Sequence, residues 1–308
     1  MNPVIDENIR GKISNIFKKL NEIPNRQKIT LQDIDILLEH VSRKSSESVN
    51  LMSEKASEDL SIAYFGSLVL SITALKLADN QNSRPLDSKW LLPESTIDPN
   101  IVLESLLVNI SNQCFSIINL ATLGYAWSAR ILLRTTLELC WLTVVLVSDR
   151  EKMLQYCQIL NDDIERKLFY KYFSGSKLQK SLTEIEKTLR FSEDVSMLYS
   201  KVRSEAYTFF TKHVHNSYTA ILTGSRAPTF DNPEILDYAL FGSPSIPARG
   251  VISSLNQQIL FYLIGVLLPI LKTVHSFDVI GSWDDIVTLR ECFVRLYVFQ
   301  NTGNQQSP

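Results

Sequence analysis

GYAWSARILLRTTLELCWLTVVLV, residues 124–147, decides the fold class. Arg130, Arg134 and Glu138 follow one another at four-residue intervals, so they line one face of one helix, and Trp127 and Trp141 share that face. Nearly every other position is apolar: Ile131, Leu132, Leu133, Leu137, Leu139, Cys140, Leu142 and Val144 surround the row. A helix that is apolar nearly all round belongs at the centre of a bundle. The expectation is an all-α protein, a multi-helix bundle with this one central buried helix.

Outward from it, apolar residues keep helical spacing to both ends, and no segment alternates as a strand. Ile5, Ile9, Ile13, Ile16, Phe17 and Leu20 make one stripe before Pro24, and Thr30 with Asp33 reads as a capping box. Residues 42–59 are polar and charged, then 60–77 turn apolar, which fits one long helix or two. A loop over 80–96 separates an N-terminal helical segment (1–80) from a main bundle (97–300), which Asp98 and Pro99 open. Leu178, Leu182, Ile185 and Leu189 form a short amphipathic helix, and Val195, Leu198, Val202, Ala206 and Phe209 a longer one. Residues 216–233 read as loop, 248–275 as a long helix kinked near Pro269, and Ser282 with Asp285 as a cap for the last helix. The tail, 301–308, is expected to fray.

Composition narrows the function classes. The chain has 308 residues, 45% of them hydrophobic and 21% charged, with a net charge of −2. It is long enough to bury a large core and carries no overall attraction for nucleic acid or anionic membrane. Cys114, Cys140, Cys157 and Cys292 sit singly in apolar runs and read as small buried hydrophobes of a reducing compartment. The first residues lack the basic-then-apolar layout of a secretory signal. The most membrane-like stretch, 259–271, falls short of the roughly 20 residues needed to span a bilayer. These features predict a cytoplasmic protein with no membrane partner. No phosphate-binding loop, dinucleotide motif or nucleophile elbow is present, and no metal site or cofactor is predicted. Asp162, Asp163 and Glu165 stand beside Arg166 and Lys167 on a solvated face.

The charged row admits two readings. An unpaired charge in a core is costly, so Arg134 and Glu138 pair with each other and Arg130 needs another acceptor. The row is then either a structural network that fixes helix register, or an anion or phosphate site presenting guanidinium groups as a fork. Histidines add a second element. His213 is in phase with Val202, Ala206 and Phe209 and faces the core, whereas His215 points away or lies just beyond the helix end. Their spacing is wrong for chelating one metal ion.

The stretch GYAWSARILLRTTLELCWL, followed by AYTFFTKHVHNS, resembles an all-helical bacterial family, a domain of unknown function, over roughly residues 100–225. The matching positions are Arg134 and Glu138 (the Arg-x-x-x-Glu element) and Val214 with His215 (the Val-His element), with Arg130 as an addition. That family is distantly similar to HEPN domains, helical bundles that act as metal-independent RNases in toxin–antitoxin and phage-defence systems. The HEPN signature, Arg followed four to six residues later by His, is absent: Arg203 precedes His213 by ten positions and Arg226 follows both histidines. The resemblance implies a defence or toxin-like effector or accessory protein acting on RNA or another phosphate-bearing ligand. His215 would be the acid or base, and Arg130, Arg134 and Glu138 would line the site. The alternative is a non-catalytic interaction or adaptor protein whose Arg-Glu-His network is structural. Its apolar C-terminal helices would then serve a partner protein or a homo-oligomer.

Overall fold

Short polar residues set where the helices begin. The Asp6 carboxylate accepts from the backbone of Asn8 and Ile9, Thr30 and Asp33 close a reciprocal capping box, and Asp98 accepts from Asn100 ahead of a first-turn proline. Asp149, Ser217 and Ser245 cap three later helices in the same way. The computed structural model describes residues 6–24, 28, 30–79, 98–158, 162–189, 193–215, 217–239, 241–273 and 283–303. Its α-helices are α1 (Glu7–Asn21), α2 (Leu31–Lys55), α3 (Ser57–Asp79), α4 (Pro99–Thr122), α5 (Ala126–Ser148), α6 (Arg150–Cys157) and α7 (Asp162–Leu168). They continue with α8 (Gly175–Thr188), α9 (Glu193–Val214), α10 (Tyr218–Ser225), α11 (Ile246–Ser254), α12 (Tyr262–Thr273) and α13 (Trp283–Gly303). The protein is all-α, a multi-helix bundle, and α5 is its central helix.

Leu133, Leu137, Cys140, Trp141 and Val144 of α5 are fully buried. Helix α4 packs on one side of α5 and carries α3 beyond it; α8 and α9 pack on the other, with α11 and α12 closing the core. The junction of α4 and α5 needs a glycine. Gly124 has φ +81°, its carbonyl accepts from Ser243 N, and a Cβ there would lie 2.4 Å from that same nitrogen.

Several expectations change in detail. Residues 42–77 form two helices, broken at Ala56. The stretch 217–233 is not simply loop: it holds α10 and the strand β1 (Arg226–Pro228), which pairs antiparallel with β2 (Leu236–Tyr238). Gly, Pro, Asn and Thr residues suggest a loop there, but Gly224 has a packing reason. A Cβ at Gly224 would meet the Trp127 ring at 2.1 Å, so its absence lets α10 lie on α5. Pro269 lies inside α12, and the run departs from α-helix earlier, in a π-helical turn at Leu255–Phe261. Cys114, Cys140 and Cys157 are buried, but Cys292 is exposed. The loop over 80–96, Ser282 and the end of the tail from 304 fall outside the described residues.

The cytoplasmic expectation does not stand. Four helical runs are long and apolar enough to cross a membrane: Ser57–Leu77, Pro99–Thr122, Ala126–Ser148 and Ile246–Leu271. The last is 26 residues, because Asn256, Gln257 and Gln258, which end the apolar run in sequence, do not end the helix. Asn256 is buried and its amide donates to the Asp59 carbonyl at 2.8 Å. Between half and two thirds of each apolar stretch is buried within the bundle, and the four together are compatible with membrane association.

Candidate anion-binding site

The charged row of α5 divides into two parts with different surroundings. In the C-terminal part, Arg134 is buried and its guanidinium pairs with Glu138 at 2.7 Å. Arg134 Nε donates to Thr211 Oγ1 at 3.1 Å, and the guanidinium lies 3.6 Å from the centre of the Tyr207 ring. Tyr207 donates its hydroxyl to Glu138 at 3.3 Å and stacks with Trp141. Arg134 therefore has a carboxylate, a hydroxyl and an aromatic face from its own chain. This part of the row locks α9 onto α5.

Arg130, one turn earlier, is partnered differently. Its Nη1 lies 3.1 Å from His213 Nε2, and its guanidinium sits 5.2 Å from the centre of the Phe209 ring. His213 Nδ1 lies 3.1 Å from the Phe209 carbonyl, which can only accept, so Nδ1 carries the proton. Nε2 is then the bare nitrogen that accepts from Arg130, and His213 is neutral. Trp127 packs edge-on against the imidazole at 5.4 Å. Among the described residues, no carboxylate stands within ion-pair distance of Arg130.

Burial holds the His213 pKa below its ordinary 6.5, the Phe209 carbonyl pulls it partly back, and Arg130 lowers it again. A pH dependence follows. As the pH falls through 6.5 the unfolded chain takes up a proton that folded His213 refuses until a lower pH. The stability His213 contributes is thus complete above 6.5 and is lost as acid is added through that window. Wild type is expected to lose more thermal stability than His213→Gln between about pH 7.5 and about pH 5.5, read as the difference in Tm.

Arg130 and His213 open onto a cavity of about 430 Å³ bounded by α5, α9, α10 and the β1–β2 hairpin. Lys212 and Arg226 also line it, and among the described residues no Asp or Glu does. Phe209, Ala220, Leu222, Pro228, Leu236 and Pro247 make the remaining wall with Thr223, whose hydroxyl already donates to the Ala220 carbonyl. The result is an apolar pocket with three cations, a neutral imidazole and, among the described residues, no counter-charge. Such a pocket favours an anion.

The structure brings Arg130, Arg134 and Glu138 onto one face with His213. His215 is exposed beyond the end of α9 and is not among the residues that line the cavity. Two features escaped sequence reasoning. Arg226 joins the pocket through the hairpin fold, which no local spacing announces, and meets Lys212, the neighbour of His213 in α9. Glu186 is fully buried and pairs with Arg203, bonding it through both carboxylate oxygens. One signal for it was available: Glu186 is four residues after Leu182, on the apolar face of α8.

Comparison with curated proteins and with solved structures gives no match. Residues 100–204, covering α4 to the middle of α9 and therefore Arg130, Arg134 and Glu138 but not His213 or the hairpin, match the model of a family described as a family of unknown function (DUF5677).

Proposed function

We propose that the protein binds a phosphate-bearing ligand in the cavity between α5, α9, α10 and the hairpin, with Arg130 as its central contact. The observation that carries this reading is a half-buried guanidinium with no carboxylate partner among the described residues, facing a pocket that Lys212 and Arg226 line and to which no described acid contributes. An anion would supply the missing counter-charge and take charge-assisted hydrogen bonds from the guanidinium fork. An RNA phosphate, as the HEPN resemblance implies, would meet the same cations. Binding rather than strand cleavage is the reading, because the lone pair of His213 Nε2 is already engaged by Arg130, and His215 lies outside the pocket.

Calorimetric titration with pyrophosphate at low ionic strength tests the proposal. Wild type is expected to bind saturably and Arg130→Gln at least about tenfold more weakly, since a hydrogen bond to a charged group is worth about 1.5–3 kcal/mol. Equal binding by the two proteins, or none by wild type, removes the ligand site and leaves the adaptor alternative.

A further inference from the structure

The wall of the cavity says what is attached to the anion. A nucleotide or a sugar phosphate needs polar groups to read its base or hydroxyls. Beyond the cations and His213, the described lining offers only Thr223, already bonded to a backbone carbonyl. The rest of the described lining is hydrocarbon or aromatic.

The mouth of the cavity has the same character and is turned to solvent. Register pairs Arg226 with Tyr238 and Pro228 with Leu236, so these four residues share one face of the hairpin, and Arg226, Pro228 and Leu236 line the cavity from it. Leu236 is 55% exposed and Tyr238 59%. On α10, Leu222 is 45% exposed, and Tyr218, one turn before it, is 79% exposed. Phe209 of α9 is 46% exposed. Tyrosines and apolar side chains around a basic pocket are what a protein presents to the headgroup layer of a bilayer, where the rings are half wet and the cations meet lipid phosphates.

We infer that the anion is the headgroup phosphate of an anionic phospholipid, engaged at a bilayer surface with Tyr218, Leu222, Leu236 and Tyr238 seated among the headgroups. The inference rests on the anion-site reading above and names the class of ligand for that same site. Charge selects the occupant: a pocket with Arg130, Lys212 and Arg226 and no carboxylate among its described residues favours an anionic surface over a neutral one. At a cavity of about 430 Å³ only the headgroup and the start of the chains need enter, the rest staying in the bilayer.

The test is flotation of the full chain with vesicles of phosphatidylcholine alone and with an equal mixture of phosphatidylcholine and phosphatidylglycerol. Pyrophosphate titration and the solution mass are measured on the same samples. Wild type is expected to partition on the order of a hundredfold more strongly onto the anionic vesicles, at roughly fivefold for each cation near the surface. Arg130→Gln is expected to lose about fivefold of this. Tyr218→Glu and Tyr238→Glu, at exposed positions outside the cavity lining, are expected to lose vesicle binding while keeping pyrophosphate binding. If wild type ignores lipid charge, or if both rim variants float as well as wild type, the lipid inference is overturned. A solution dimer that either rim variant dissociates also overturns it, because a second copy would then cover this face. Arg130-dependent pyrophosphate binding without vesicle binding overturns the lipid inference and leaves the anion site standing; loss of both removes both.

Discussion

Arg203→Ala is expected to lower the melting temperature by on the order of 10 °C. Arg203 and Glu186 are a bidentate pair with side chains 3% and 0% exposed. Tyr262 donates its hydroxyl to the same carboxylate at 2.8 Å, and Arg203 also reaches Thr183. Removing the guanidinium leaves Glu186 buried beside a phenol, with no cation to offset its charge. Breaking one partner of such a pair costs about 3–5 kcal/mol, although the intact pair contributes little against a hydrophobic replacement. The double variant Arg203→Met with Glu186→Leu is therefore expected to recover most of the loss, and thermal melts of the two variants check this. Arg134→Ala is expected to cost less than Arg203→Ala. The Glu138 it abandons has a side chain 36% exposed and can rehydrate.

Trp141→Ala has an expected cost of about 3–5 kcal/mol, the usual range for deleting a buried aromatic. Trp141 is fully buried in α5 and stacks with Tyr207, its ring centre 5.6 Å away and the planes 20° apart. Tyr207 in turn underlies the Arg134 guanidinium. The variant thus opens a cavity in the core and loosens the ring that orients the Arg134–Glu138 pair. Trp141→Phe keeps a ring in contact with Tyr207 and is expected to retain more than half of the stability lost by alanine, as measured by denaturant midpoints at unchanged slope.

These two sites show how unevenly the sequence discloses the structure. Trp141 and the Arg134–Glu138 pair are legible because the information is local. Four-residue spacing on an apolar helix fixes which side chains share a face, and a helix apolar all round must be central. The same periodicity distinguishes His213, in phase with Phe209, from His215. It cannot show that the hydrogen-bond acceptor for Arg130 is that imidazole, 83 positions away. The family resemblance pointed to His215, and the folded chain places His213 beside the row instead. Glu186 and Arg203 belong to helices that each look complete alone, so their pairing emerges only when α8 meets α9.

The hairpin is the clearest case of tertiary override. Gly224 and its polar neighbours look like turn residues, yet Gly224 serves close packing on Trp127, and the chain beyond it supplies Arg226 to the pocket. The long apolar runs are masked in sequence for a related reason. Polar residues such as Asn256 break an apolar stretch in sequence, while a helix whose amide finds the Asp59 carbonyl continues unbroken.

The central claim is that the pocket around Arg130 takes an anion, and the His213 imidazole reports on it most directly. Titrating the His213 ring by NMR, assigned by comparison with His213→Gln, with and without saturating pyrophosphate, measures the electrostatic potential where the ligand sits. In the free protein burial and Arg130 hold this pKa below 6.5. An anion bound between Arg130, Lys212 and Arg226 is predicted to raise it, and to do so far less in Arg130→Gln. A His213 pKa that pyrophosphate leaves unchanged in the wild-type protein would contradict the account.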